Sequence, residues 1–302
     1  RITPNCLGIW DDATAQALAD TLARARKLAP PVPVCMQIAH AGRKGSSAQP
    51  WHGGMLIDKA HGGWETVAPS PINLLPGEQP PHEIDAAGLL EIEAAFVNAA
   101  KRAQAMGLEM LELHGAHGYV ICQFLSADLN QRTDQYGGSL ENRSRLLFEI
   151  IDGIRSECGP DFALAVRLSP ERFGMQIAEI EQVYGRLVAT GAVDLIDMSL
   201  WDVNRVPEGE TRALCDIVAS WPRGDVRLGV AGKIHTPADV RDVLDRGVDI
   251  AVLGRVAAYT GQKVTWDFLT KESKLDLFPK DLTWTSSLPA PQHAIPGKTK
   301  LV

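Results

Sequence analysis

An α/β barrel is the fold class this sequence predicts, and three observations predict it. Stretches with helical periodicity alternate with short apolar runs along most of the 302 residues. Helix ends share one phrase, in which a small residue or Gly closes the helix and an apolar strand starts at once: 105–107 before 108–113, 189–191 before 193–198, and 245–247 before 248–253. Near-continuous apolar strands of this kind suit a parallel sheet covered on its faces. Alternation alone would also fit an open doubly wound sheet, and the polar residues decide between the two. Gln37 and His40, His114 and His117, Arg167, Ser199, Gly232 and Lys233, and Gly254 and Arg255 all stand just past predicted strands. Reactive groups at the carboxyl ends of so many strands point to one shared mouth, as in a barrel. An open dinucleotide-binding sheet would concentrate its site behind a Gly-x-Gly-x-x-Gly turn, which is absent.

The elements follow in order. Residues 11–29 open with the capping pair Asp11-Asp12 and carry Leu18, Leu22, Ala25 and Leu28 at helical spacing, ending before Pro30-Pro31. A strand over 32–38 follows, then a stretch from 41 to 81, rich in Gly, Pro, His and Trp, that reads as a long functional loop. Beyond it, helices are predicted over 84–106, 139–157, 176–190, 208–220 and 236–246, and strands over 108–113, 162–168, 193–198, 226–230 and 248–253. Thr236-Pro237 is a good cap with Pro at the first helical position. That makes six strands where a closed barrel needs eight. The expected architecture is a (β/α)8 TIM barrel lacking its first two strands, occupying residues 1–256, with a Pro-rich C-terminal extension over 257–302. The chain opens on Arg1-Ile2-Thr3-Pro4 without methionine, which reads as mid-sequence and predicts an N-terminally truncated chain.

Composition narrows the function. Hydrophobic residues at 45% and charged residues at 22% describe a globular chain with a sizeable core. A net charge of -7, with no basic run, argues against nucleic acid as a partner. No apolar stretch reaches the roughly 20 residues that span a bilayer. Five scattered cysteines without a Cys-x-x-Cys pair suit a reducing, cytoplasmic compartment.

The strongest local signal is His114-Gly115-Ala116-His117-Gly118-Tyr119, directly after a strand. Two imidazoles and a phenol there could donate hydrogen bonds to a carbonyl oxygen, and Tyr119 could pass a proton. The same histidines, joined by His40, could instead ligate a metal in a barrel hydrolase. The segment 130–143 contains a Gly137-Gly138 turn and a Ser139 helix cap, and reads as an ordered scaffold packed on a helix start. At the last two strands, Gly232-Lys233 and Gly254-Arg255 offer small residues and fixed positive charge, as in the usual phosphate site of a barrel.

Taken together, Gln37-Ile38-Ala39-His40-Ala41-Gly42-Arg43-Lys44, the segment His114 to Tyr119, the run from Arg132 to Arg143, and Gly254-Arg255 resemble the Old Yellow Enzyme family of FMN-dependent ene-reductases, in its xenobiotic-reductase-like bacterial branch. The resemblance implies that Gln37 and Arg167 meet the flavin pyrimidine edge and that Gly232, Lys233, Gly254 and Arg255 hold the FMN phosphate. It also implies that His114 and His117 bind the carbonyl oxygen of an α,β-unsaturated substrate while Tyr119 protonates the α-carbon. Hydride would pass from NADPH or NADH through FMN to the C=C bond. The expected partner is then a small enone, with no nucleic acid and no membrane, and with self-association left open. Residues 255–302 resemble instead the C-terminal tail of Gfo/Idh/MocA-type oxidoreductases. Beside the ene-reductase stand two alternatives, a non-catalytic or unstable fragment retaining partial flavin or anion binding, and the metal-dependent hydrolase.

Overall fold

A computed structural model describes residues 1–28 and 32–252. Gly254, Arg255 and the predicted extension over 257–302 lie outside the described residues. The chain divides into two compact units, one of residues 1–200 and 220–228, the other with described residues 201–219 and 229–252.

The first unit opens with helix α1 (Asp12–Leu28), capped by Asp11, whose Oδ1 accepts from the Thr14 amide at 2.7 Å. Its predicted apolar face is only partly covered: Leu18 and Leu22 are half-buried, Ala25 and Leu28 exposed. Charged pairs pin the helix instead, Asp12 to Arg102 and Arg26 to Glu109. Strand β1 (Cys35–Ile38) follows. The stretch predicted as a loop is more regular than expected. It holds 3-10 turns at Gly42–Lys44, Pro50–His52 and Lys59–His61. It also holds short strand β2 (Val67–Ala68), which pairs in parallel with β3 (His82–Glu83). Helix α2 (Ala86–Ala105) is capped by Asp85 and buries Leu89, Ile92, Phe96 and Ala103 at helical spacing. Then come β4 (Met110–Gly115), α3 (Val120–Leu125), α4 (Leu140–Cys158), β5 (Ala163–Leu168), α5 (Ile177–Thr190) and β6 (Leu195–Ser199). The short helix α3 was not predicted; every one of its residues is buried, so it lacks the polar face that marks a helix in sequence.

Strands β1, β4, β5 and β6 pair in parallel in that order. Alternation gives the sheet two faces. Ile38, Leu111, Leu113, Leu164, Val166, Leu168, Ile196 and Met198 point one way and are buried as apolar core. Gln37, Glu112, His114, Arg167, Asp197 and Ser199 share the other face, with Gln37 beside Glu112, His114 beside Arg167, and Arg167 beside Asp197.

The second unit contains α6 (Leu214–Ala219), most of β7 (Arg227–Ala231), α7 (Pro237–Asp245) and β8 (Ile250–Ala251). Gly229 of β7 lies beside Ile250 of β8 in parallel. Thr236 and Asp239 form the capping box expected of α7. The helix predicted over 208–220 shortens to α6 because Pro207 to Glu210 closes a turn, with Gly209 at φ 80°.

Six of the described strands match the six predicted, each starting one to three residues later. The delay has a cause at the helix ends. Gly107 takes a left-handed conformation, and the next amide, of Leu108, reaches back to the Ala103 carbonyl at 3.3 Å. Gly247 and Val248 do the same with Val243, so the first apolar residue finishes the helix before the next strand begins.

Candidate active site

β4 delivers His114 to the end of the sheet, and the chain then turns through two left-handed residues, His117 at φ 58° and Gly118 at φ 72°. That conformation is costly for a residue with a Cβ, and its surroundings hold it in place. The His117 amide donates to Ser169 Oγ at 3.2 Å, and its carbonyl accepts from Lys44 Nζ at 2.7 Å. Lys44 Nζ also lies over the rings of Tyr119 and Phe173, at 5.4 and 5.0 Å from their centroids. Tyr119 caps α3 and sets its ring against His114, centroids 4.8 Å apart.

Beneath the turn, fully buried Gln123 ties two loops together. Its Nε2 donates to the Gly118 carbonyl at 2.8 Å, and its Oε1 accepts from the Arg43 amide at 3.3 Å. Gly42, at φ 58°, makes room for it: a Cβ there would come within 2.3 Å of Gln123 Oε1.

The histidines are neutral. Burial first, then the neighbouring His117, Arg167 and Lys44 charges, push His114 down to about 3. Burial, Arg167 and Lys44 push His117 down to about 4. The hydrogen bonds then fix the tautomers. His114 Nδ1 accepts from the Ala116 amide at 3.3 Å, so its proton sits on Nε2, which faces His117 Nδ1 at 3.3 Å. His117 accordingly carries its proton on Nε2, and that N–H makes no hydrogen bond to a described residue. Nor does the Tyr119 hydroxyl, whose pKa burial raises, so it holds its proton at neutral pH.

On the same sheet face, Arg167 Nε donates to Ser199 Oγ at 2.6 Å and lies 3.2 Å from Asp197 Oδ2. Its Nη1 and Nη2 make no hydrogen bond to a described residue. Gln37 Nε2 donates to Glu112, which leaves its Oε1 to accept. In the second unit, a Cβ on Gly232 would meet the backbone of Trp201 and Asp202 at 3.0 Å, and Lys233 Nζ is paired with Asp202 at 2.9 Å.

His40 stands apart from the histidine pair in its bonding. Its Nδ1 accepts from the Gly42 amide at 3.1 Å, and burial lowers its pKa to about 4. Among the described residues no three His, Cys, Asp or Glu side chains gather as a metal-ligand set. Sequence reasoning missed Asp197, Gln123 and the part played by Lys44. Lys44 and Asp197 act through partners 73 and 30 residues away, and Gln123 reaches Arg43 80 residues away; of the three only Asp197 lies on a strand, where register sets it beside Arg167.

Gln37, His114 and Arg167 thus stand on one face of a parallel sheet, with His117 and Tyr119 packed beside His114. The chain belongs to the NADH:flavin oxidoreductase / NADH oxidase family, whose model matches residues 1–215. It is 32% identical to an NADH:flavin oxidoreductase of Gibberella zeae over 278 residues, 84% of this chain and 67% of the relative. It is likewise 32% identical to an NADPH dehydrogenase of Bacillus licheniformis over 253 residues, 82% of this chain and 68% of the relative. Among solved structures it resembles morphinone reductase in complex with tetrahydroNAD (TM-score 0.66, 24% identity), covering 83% of this chain and 69% of that one. It also resembles Old Yellow Enzyme from Pichia sp. (TM-score 0.62, 26% identity), covering 81% and 64%.

The protein is an NAD(P)H:flavin oxidoreductase with FMN as cofactor, and its donor set fits that group. A flavin pyrimidine edge presents two carbonyl oxygens and an N–H, and the unoccupied Nη groups of Arg167 and Oε1 of Gln37 complement them. No helix among the described residues is long and apolar enough to cross a membrane.

Proposed function

We propose that the enzyme reduces the C=C bond of α,β-unsaturated carbonyl compounds, with His114 and His117 as the carbonyl-binding donors. One observation carries this reading, the tautomer chain from the Ala116 amide through His114 to His117, which leaves a neutral N–H donor on His117 Nε2. A neutral donor suits a developing enolate oxygen: it binds the oxygen without surrendering a proton to it. His114 Nε2–H, which donates to His117 Nδ1 when no ligand is bound, turns to the oxygen as a second donor when the carbonyl binds. Tyr119, packed on His114 and protonated, delivers the proton to the α-carbon. Bound FMN supplies the hydride, which it takes from NADH or NADPH.

Gln37 and Arg167 hold the flavin's pyrimidine edge in this reading. Gly232 lets backbone approach the phosphate closely, and Lys233, Gly254 and Arg255 supply positive charge for it.

The test is steady-state oxidation of NADPH with cyclohexenone as acceptor. His117→Ala is expected to lower kcat/KM for the enone by about 100-fold, the scale for loss of one oxyanion donor, with FMN affinity retained. Tyr119→Phe is expected to slow enone reduction by a similar factor while leaving NADPH oxidation by the flavin unchanged. Enone turnover unaltered in both variants would overturn the assignment.

A further inference from the structure

Arg167 is held from behind by a group that has no place in the chemistry so far. Its guanidinium is planar, so the two contacts at Nε, Ser199 Oγ at 2.6 Å and Asp197 Oδ2 at 3.2 Å, set the direction in which Nη1 and Nη2 point. Asp197 is only 4% exposed, and its Oδ1 has no hydrogen-bond partner among the described residues. A buried carboxylate with one bare oxygen is expensive to keep, and among its described neighbours Arg167 is the compensating charge. Glu112, on the adjoining strand and itself tied to Gln37, adds a second acid to the same face and makes the arginine more necessary.

The arrangement has two consequences for a ligand in front of Arg167. First, its donors are pre-oriented, because the side chain cannot rotate away without leaving Asp197 unpaired. Second, the carboxylate offsets part of the positive charge that Arg167 presents, and in a site of low polarity that offset is large.

We propose that Asp197 is a positioning residue for the flavin: through Arg167 it sets both FMN affinity and the reduction potential of the bound cofactor. This rests on Arg167 lying at the pyrimidine edge. Asp197→Asn keeps the shape and an oxygen acceptor but removes the negative charge. Arg167 then acts on the flavin unopposed, negative charge on the reduced ring is favoured, and the potential becomes more positive. Asp197→Ala removes the anchor as well and loosens Arg167.

The experiment is FMN titration of the full chain by fluorescence quenching, with the reduction potential measured by dye equilibration at saturating FMN. Asp197→Ala is expected to weaken FMN binding about tenfold, the scale of one charge-assisted contact. In an Arg167→Met background the same substitution is expected to change affinity by less than about twofold, because the two act as a unit. Asp197→Asn is expected to keep affinity within about threefold and to shift the potential positive, which general loosening of the fold would not do. An Asp197→Asn potential equal to wild type, or an undiminished Asp197→Ala effect without Arg167, would overturn the inference alone. An Arg167→Met chain with unchanged affinity would remove the placement of Arg167, and the inference with it.

Discussion

His40, His114 and His117 are all kept neutral by burial, at about 4, 3 and 4 against an ordinary value near 6.5. In the unfolded chain they would take up protons in mild acid, and in the folded chain they would not. Between about pH 6.5 and 4 the unfolded state therefore binds more protons, so stability is full above that window and falls as pH drops through it. Thermal melting should show a midpoint that declines from pH 7 to pH 4.5, with a shallower decline in His40→Asn, whose imidazole is removed from the balance. An equally steep decline in that variant would show that other groups drive it. The clustering of His114, His117 and Tyr119 was legible in sequence because the three lie within six residues at the end of one strand. Their tautomers were not, since those depend on the left-handed turn at His117 and on the Ala116 amide.

The segment 130–143 is the clearest case at the scale of elements. Read as scaffold from its Gly-Gly turn and Ser139 cap, it also supplied the most specific family signature, and the structure explains both. Arg132, 6% exposed, donates to the Ile84 carbonyl at 2.6 Å, and Asn130 bonds the carbonyls of Phe124 and Tyr136. Arg143, 4% exposed, donates to the Leu125 and Gly138 carbonyls and pairs with Glu179 at 2.5 Å, joining α3, α4 and α5. These arginines hold backbone rather than substrate. Arg143→Met should therefore cost about 3 kcal/mol of unfolding free energy, the scale for leaving a buried pair without its partner. Urea titration of wild type and variant measures it, and a loss below about 1 kcal/mol would mean that the pair is not structural. Strand and helix identities were legible from periodicity and from the glycines that close helices. The short β2–β3 pair and α3 were not, because two-residue strands and an all-buried helix leave no period to detect.

For the molecule as a whole, the alternation of helix and strand fixed the fold class, and the sheet places the site by its register. One face of β1, β4, β5 and β6 forms the apolar core, and the other carries Gln37, Glu112, His114, Arg167, Asp197 and Ser199 in adjoining rows. The chain spans 67% and 68% of two curated relatives. We propose that these rows hold FMN and pass reducing equivalents to an enone. Anaerobic spectrophotometry of the full chain tests that claim most directly. One equivalent of FMN should bind, with its visible absorption bleached by NADPH and restored by cyclohexenone. A chain that leaves FMN unbound, or whose bound flavin stays reduced when cyclohexenone is added, would contradict it.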